Sequence, residues 1–354
     1  MTFSAKMRGA AIVGLVALPL LTTGCGLLKS GTTTGQIDPP QGEILTGQDT
    51  AVGAVETTDA NEMSKGITLY LKDANNYVAP VTLNVPKVDG IAKMTLAYLV
   101  EDGEYKDLLP EGFTAILPKG TQVKELNIDP KSKLATVDFS KEFVNYNAQD
   151  ERKILEAVTY TLTGFPTIQS VQIRVEGKAL TEMPEAATPL DEPLTRGMGI
   201  NIEKSADLDA SELGNSSPVT LYFLGKTEAE ETYFVPVTRL VRRTDNMAQA
   251  AVQQLIKGPL SSSQLTSVMD PGAQVLQVAQ QEGIITVNLS GEIQTPELKV
   301  PSETLQSVIL SLTENTGASK VQILIDGDKE VSGTDEQSYS KPVTRPAHVN
   351  PVEL

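Results

Sequence analysis

Two acidic residues four positions apart are the first candidates for chemistry in this sequence. Asp138 lies in the segment LATVDF, and Glu142 follows four positions later. Glycosidases place two carboxyl groups across the scissile bond, so this pair would suit an enzyme that cuts cell-wall glycan. A second, similar segment holds Asn288 and Glu292 at the corresponding positions. One copy alone would keep the pair, and we therefore favour capping or solvated roles for these carboxylates.

Histidine and cysteine chemistry is nearly excluded by composition, because the chain has one His, one Cys and no Trp. Zinc sites need several such ligands, and the common catalytic triads need a His base. His348 has Gly199 as its counterpart, so we interpret it as a surface or packing residue. The residues 197–199 read Gly-Met-Gly, but Ile202 replaces the third glycine of a dinucleotide fingerprint. We expect no enzyme activity, no cofactor and no metal.

Length and charge set the remaining limits. The 354 residues suggest about two domains of ordinary size. The formal charge of −16 repels phosphate backbones, and no basic patch offsets it, so nucleic acid is a poor candidate partner.

The N-terminus explains the single cysteine. Lys6 and Arg8 precede a mostly apolar run, Gly9–Leu21, which is too short to span a membrane and is typical of a signal peptide. Cys25 follows in a sequence that resembles a bacterial lipobox, although Thr22 replaces the usual Leu. We predict that Cys25 is lipidated and becomes the first mature residue. An ordinary secretory signal with an incidental Cys, or a short membrane anchor, remain as alternatives.

Lipidation at a lipobox cysteine attaches a diacylglyceryl group, whose two acyl chains suffice for stable membrane attachment. We therefore predict a signal peptide over 1–24 and a protein anchored on the extracytoplasmic face of the membrane. Residues 25–65 would comprise the lipidated Cys25 and a flexible tether, since this segment is rich in Thr, Gly, Asp and Pro without periodicity.

A long internal repeat organises the rest of the chain. The repeated strings are ITLYL with VTLYF, YVAPVT with YFVPVT, LATVDFSKEF with IITVNLSGEI, and VQIRVEG with VQILIDG. The offset of about 150 residues exceeds a solenoid period and indicates a duplicated domain. We predict domains over 66–201 and 218–350, with an acidic linker over 202–217 and a tail over 351–354.

Apolar patterns predict the elements of each repeat. The predicted strands of the first repeat are Ile67–Leu71, Val78–Val85, Val123–Ile128, Leu134–Phe139 and Val171–Val175. Helical spacing is shared by Ala92, Thr95, Leu96 and Leu99 with Ala248, Ala251, Val252 and Leu255, and by Leu155, Val158, Thr159 and Leu162 with Leu305, Val308, Ile309 and Leu312. Asp89 and Asp245 precede the first helix of each copy as candidate N-caps. The expected fold is α+β, two tandem two-layer sandwiches, each with two helices on one face of a small sheet.

Two further sets of residues have competing interpretations. Phe139, Phe143 and Tyr146 are spaced for a strand-to-helix corner, and core packing explains why Leu289 replaces Phe139 in the second copy. Thr195-Arg196 recurs as Thr344-Arg345. We expect each Arg to pair with carboxylates of its own domain, with a partner contact as the alternative.

Together with the lipobox and the duplication, several strings resemble the GerM family of sporulation and spore-germination lipoproteins of endospore-forming bacteria. These strings are IDPPQ from Ile37, EFVNYN from Glu142, YTLT from Tyr160 and PVTRPAHVN from Pro342. The resemblance spans nearly the whole mature chain. It implies two GerMN domains, whose fold is similar to ring-building motifs, and no established catalytic residues.

The resemblance also implies envelope assembly during spore formation. The expected function is a non-enzymatic lipoprotein that helps assemble or localise a ring-like or channel complex between mother cell and forespore. Its expected partners are the membrane, sporulation channel or septal envelope proteins, and weakly associating copies of itself, at the sporulation septum or intermembrane space. The alternative is a cell-wall-active hydrolase or glycan-binding protein.

Overall fold

The computed structural model describes residues 65–85 and 88–352, which fall within one compact unit. The predicted α+β class is confirmed, with two copies of one arrangement in tandem. The predicted signal peptide, Cys25 and the tether up to residue 64 lie outside the described residues. Among the helices in the described part of the chain, none has both the length and the apolar character to cross a membrane.

The two repeats have closely matched elements. The elements of the first repeat are β1 Lys65–Asp73, β2 Val78–Val85, α1 Ile91–Tyr98, β3 Phe113–Thr114, β4 Val123–Asp129, β5 Leu134–Phe139, α2 Glu151–Leu162, β6 Ser170–Val175 and β7 Lys178–Ala179. A short strand, β8 Glu203–Lys204, follows. The second repeat comprises β9 Ser216–Lys226, β10 Thr232–Arg242, α3 Met247–Lys257, β11 Val275–Gln281, β12 Ile284–Leu289, α4 Ser302–Thr316, β13 Lys320–Ile325, β14 Val343–Thr344 and β15 Pro351–Val352.

The strands of each repeat are divided between two sheets. In the first repeat β1 pairs antiparallel with β2, while β5 lies between antiparallel β4 and parallel β6. The second repeat has the same pairings among β9 and β10 and among β11, β12 and β13. A parallel pair needs a crossover connection, and α2 and α4 supply it.

The helices contact both sheets, so their buried surface is wide. Every helical position predicted to face the core is at most 7% exposed. On α2 the hydroxyl of Thr161 accepts from the Tyr70 N–H of β1 at 2.9 Å. On α4 the hydroxyl of Ser311 accepts from the Tyr222 N–H at 3.0 Å. The two copies therefore attach helix to strand by the same polar contact.

The predicted aspartate caps are wrong in both repeats, because each helix begins later than expected. In α3 the N-cap is Asn246, whose side chain accepts from the Gln249 N–H at 3.0 Å. The N-cap of α1 is Gly90, with φ of 72° and no side-chain cap hydrogen bond. Asp89 and Asp245 thus lie one residue before the N-cap, which is the position from which a side chain can accept from the free backbone N–H groups of the first turn.

The aromatic residues predicted at the strand-to-helix corner pack in the apolar core, as expected. Phe139 and Phe143 are fully buried and stack with ring centroids 4.2 Å apart and planes 4° apart. Leu289 occupies the position of Phe139 in the second repeat and is 1% exposed.

The chain after each repeat crosses to the other repeat. Strand β8 runs parallel to β10, with Glu203 opposite Arg239. Strand β15 runs parallel to β2, with Val352 opposite Leu83. Both crossings occupy equivalent places in the two copies, so the repeats exchange terminal strands with approximate two-fold symmetry. The segment 202–217 therefore contains a strand of the second repeat's sheet.

Candidate functional site

The polar residues common to both repeats meet where the repeats contact each other. Asn201 lies just before β8 with φ of 48°. Its Nδ2 donates to the carbonyls of Val78 at 2.8 Å and Pro236 at 2.7 Å, and its Oδ1 accepts from the Val78 N–H at 2.9 Å. This side chain therefore joins β2 to β10.

Asn350, the counterpart of Asn201, makes the reciprocal contacts. Its φ is 51°. Its Nδ2 donates to the carbonyls of Pro80 at 2.7 Å and Phe234 at 2.9 Å, and its Oδ1 accepts from the Phe234 N–H at 2.8 Å. Asn tolerates the left-handed region better than most residues and here supplies donors and an acceptor together. The two asparagines therefore bond the repeats to each other through equivalent contacts.

An arginine–glutamate cluster lies at the same boundary and consists of Arg196, Arg345 and Glu314. Arg196 of the first repeat donates through Nη1 to both carboxylate oxygens of Glu314, at 2.9 and 3.1 Å. Nη2 of Arg345 lies 2.9 Å from Oε2 of the same carboxylate. One carboxylate of the second repeat thus pairs with an Arg from each copy.

Each Arg is also held by equivalent groups of its own repeat. Arg196 donates to the Thr163 hydroxyl at 3.0 Å and the Tyr160 carbonyl at 3.2 Å. Its guanidinium carbon lies 4.6 Å from the centroid of the Tyr160 ring and 5.6 Å from that of Tyr70, within cation–π range.

Arg345 repeats this pattern in the second copy. It donates to the Thr313 hydroxyl at 3.0 Å, the Leu310 carbonyl at 2.9 Å and the Tyr222 hydroxyl at 2.6 Å. The matched contacts explain why both tail segments carry Thr-Arg. The expectation of own-domain pairing is confirmed for Arg345 and wrong for Arg196. The cause is that Gly164 stands in the first repeat where the second has Glu314.

The electrostatics favour an ionised cluster. Burial alone would raise the pKa of Glu314, whose side chain is 9% exposed, but the guanidinium groups of Arg196 and Arg345 hold it below its ordinary value. Removing one partner of a buried ion pair leaves an uncompensated charge, so each member of this cluster depends on the others. A cavity of about 400 Å³ adjoins the cluster and is lined in part by Thr68, Thr163 and Gly164.

A buried hydrogen bond adds a further link between the repeats. The Tyr233 hydroxyl donates to Asp73 Oδ2 at 2.8 Å. Burial raises the pKa of Asp73, an effect that hydrogen bonds from Tyr77 and Tyr233 oppose. The Tyr233 ring also meets Phe113 edge-on, with centroids 4.9 Å apart.

The carboxylates considered for glycan cleavage have structural partners. Asp138 accepts from the Gly177 N–H at 2.8 Å, and Asn288 accepts from the Gly327 N–H at 2.9 Å. An amide thus replaces the carboxylate while keeping the same turn contact. A hydrogen bond with Ser140 lowers the pKa of Glu142, whereas a general acid at neutral pH needs a raised pKa.

The remaining candidates also lie in structural positions. His348 is exposed and its ring packs against Gly66. Gly197 belongs to a short 3₁₀ turn, in which its N–H donates to the Thr195 hydroxyl at 3.2 Å. Across residues 65–85 and 88–352, no group of three or more His, Cys, Asp or Glu could hold a metal ion.

Sequence reasoning missed the contacts between the repeats. Asn201 and Asn350 follow Thr195-Arg196 and Thr344-Arg345 at the same spacing, and an Asn present in both copies was the available signal. Glu314 had no such signal, because it occurs in one copy.

Comparison with known proteins also identifies two copies of one domain in this chain. The family model described as "Germane: Sporulation and spore germination" matches residues 68–181 and 220–331. The chain is 35% identical to the spore germination protein GerM of Bacillus subtilis (strain 168), over 97% of this chain and 98% of that protein. It is also similar to the solved tandem GerMN domains of the sporulation protein GerM from Bacillus subtilis, with 36% identity, a TM-score of 0.76, and coverage of 81% of this chain and 100% of that chain. The chain therefore belongs to the Germane family of sporulation and spore germination proteins and carries two tandem GerMN domains.

Proposed function

We propose that this protein is a membrane-tethered, non-enzymatic assembly factor that helps build or localise a ring-like or channel complex between mother cell and forespore. The observation that carries the proposal is the use of the polar residues shared by the repeats. Asn201, Asn350 and Arg196 bond across the two repeats, and Arg345 pairs with the same Glu314 carboxylate as Arg196. The polar residues shared by the two repeats therefore have structural roles.

A fixed pair of similar domains suits an assembly role. Because the repeats are joined by exchanged strands and buried polar contacts, their outer faces keep a constant relative orientation. Contacts between unlike faces close into rings or arcs when the rotation permits. A lipid anchor at Cys25 would raise the local concentration of all copies at one membrane face, so that weak contacts to each other or to septal envelope proteins become effective.

A fluorescent fusion followed through sporulation tests the proposal. We expect the wild-type protein to concentrate at the septum or the engulfing membrane, and the Cys25→Ala variant to be released from the membrane fraction. The matched control is the Asp138→Asn and Glu142→Gln double variant, which should localise and support sporulation normally. A Cys25→Ala protein that stayed bound to the wild-type extent would contradict the lipid anchor.

Incubation of the purified protein with peptidoglycan addresses the enzymatic alternative. We expect no release of muropeptides, together with recovery of envelope partners or of the protein itself in a pull-down. Release of muropeptides by the wild type but not by the double variant would replace the assembly role with a hydrolase.

A further inference from the structure

The pseudo-two-fold symmetry of the arginine–glutamate cluster is incomplete. Arg196 and Arg345 are equivalent, but Glu314 has Gly164 as its counterpart. The reason is visible in the helices, since α4 continues to Thr316 whereas α2 ends at Leu162, before the glycine. Two guanidinium groups therefore share one carboxylate, and the cluster carries a formal charge of one positive unit.

The place of the missing second carboxylate is open space. The cavity of about 400 Å³ is lined by Gly164 and by both arginines together with the Glu314 carboxylate that they share. Hydroxyl groups of Thr68, Tyr70 and Thr163 belong to residues that also line it. The cavity is open to solvent on one side, so a small hydrated ion can enter it. The Arg196 and Arg345 side chains are 27% and 29% exposed, whereas Glu314 is 9% exposed. The positive groups thus reach solvent more than the carboxylate that partly neutralises them.

Of the arginine nitrogens described in this cluster, one remains without a hydrogen-bond partner. The described contacts of Arg345 use Nη1 and Nη2, and among the described residues its Nε has no hydrogen-bond partner. Guanidinium groups bind carboxylates and phosphates through charge-assisted hydrogen bonds.

We propose that this cavity binds a small oxyanion, a carboxylate or a phosphate, which takes the position of the second carboxylate between Arg196 and Arg345. The ligand completes the symmetry of the cluster and links the two repeats through groups that belong to both. This site is independent of the assembly role, because ligand binding here requires neither a membrane nor a partner protein.

Titration of the purified full chain with inorganic phosphate and, separately, with acetate tests the proposal at constant ionic strength set by chloride. Nuclear magnetic resonance of the arginine Nε–H groups gives a site-specific readout. We expect saturable shifts of the Arg345 and Arg196 signals with phosphate, acetate or both, and the responding probe distinguishes a phosphate ligand from a carboxylate.

Position 164 provides matched variants. Gly164→Glu supplies the missing carboxylate from the protein itself, and it should weaken oxyanion binding by about tenfold or more, because the net charge of the cluster falls to zero. Gly164→Ala adds a methyl group without charge and should keep affinity within about twofold of wild type. An added Cβ at this position lies 3.1 Å from the Thr161 carbonyl and close to no group of the second repeat, so both variants face the same local crowding.

A second charged variant keeps the proposal testable if Gly164→Glu does not fold. Ala347 is exposed and lines the same cavity, so Ala347→Glu should also weaken binding. Unchanged affinity in a folded charged variant would overturn the proposal. So would absence of saturable Arg shifts in the wild type, or equal loss in Gly164→Ala, since that loss would not depend on charge.

Discussion

At the scale of single residues, two adjacent turns of α2 carry buried carboxylates in opposite electrostatic settings. Glu151 is fully buried and accepts from the Tyr146 hydroxyl at 2.9 Å and from the N–H groups of Glu185 at 3.1 Å, Ala186 at 2.8 Å and Thr188 at 3.0 Å. It thereby fastens a loop to the start of the helix. Burial alone would raise the pKa of Glu151, but these hydrogen bonds, with that of the Thr188 hydroxyl, hold it below its ordinary value.

The first prediction concerns Glu151→Gln, which removes a charged acceptor and places amide hydrogens opposite backbone donors. We expect a loss of about 2–3 kcal/mol in the free energy of unfolding at pH 7, because bonds to charged groups are the stronger ones. The pKa is lowered in the folded state, so the wild-type advantage exists above the unfolded pKa and disappears as pH falls through the folded pKa. Urea unfolding of both proteins between pH 7 and about 3 measures this convergence. A difference that did not shrink at low pH would contradict the assigned charge.

The second prediction concerns Glu156, one turn further along α2. Its side chain is 2% exposed, and burial raises its pKa to about 7, although the Asn201 N–H at 3.1 Å and Arg152 at 3.0 Å oppose the shift. The folded pKa lies above the unfolded one, so the contribution of Glu156 is full below the unfolded pKa and is lost as pH rises through about 7.

Glu156→Gln keeps an acceptor for the Asn201 N–H but has no charge to bury. We therefore expect the variant to match the wild type near pH 5 and to be more stable by about 1–3 kcal/mol near pH 8. Thermal unfolding across this range is the measurement. A variant less stable than wild type at both pH values would show that the Arg152 pair outweighs desolvation.

At the scale of elements, the exchanged strands decide how the repeats join. Strands β8 and β15 have two residues each, too few to hold a sheet edge by ladder hydrogen bonds alone. Asn201 and Asn350 precede them and bond to both β2 and β10. These side chains supply the contacts that the short strands lack.

The third prediction is that Asn201→Ala and Asn350→Ala each reduce the free energy of unfolding by about 2–3 kcal/mol, since each leaves part-buried strand carbonyls without their donors. Asn127→Ala is the matched control, because Asn127 is exposed and donates to exposed Glu125, and it should change stability by less than about 0.5 kcal/mol. Chemical denaturation compares the three variants. Equally small losses of unfolding free energy at all three positions would contradict the bridging role of the two asparagines.

At the scale of the whole molecule, each repeat has its own apolar core, and buried polar contacts cross the boundary between them. The second core consists of residues of the second repeat, with Ala79 as the buried contribution of the first. The boundary adds the Asp73–Tyr233 bond and the Arg196–Glu314 pair. Each repeat therefore has its own apolar core, but some of its buried polar groups have their hydrogen-bond or ion-pair partners in the other repeat.

The fourth prediction is that residues 218–354 alone melt cooperatively but at a lower temperature than the intact chain. The fragment keeps every buried core residue except Ala79, whereas Glu314 loses Arg196, Tyr233 loses Asp73 and β10 loses β8. Circular dichroism melting of the fragment and the full chain tests this. A broad transition with poor amide dispersion would show instead that the two repeats share one core.

Three features could be predicted from the amino-acid sequence: the duplication, the α+β class and the position of most elements. Strands β2 and β5 have the predicted bounds, and the predicted core positions of all four helices are buried. These features were predictable because apolar periodicity is local and two copies confirm each other. The contacts between the repeats were not predictable in this way. In the folded chain Arg196 pairs with Glu314, 118 positions away, and β15 pairs with β2. Such contacts depend on how the repeats dock, and a residue present in one copy, such as Glu314, leaves no repeated pattern from which its partner could be inferred.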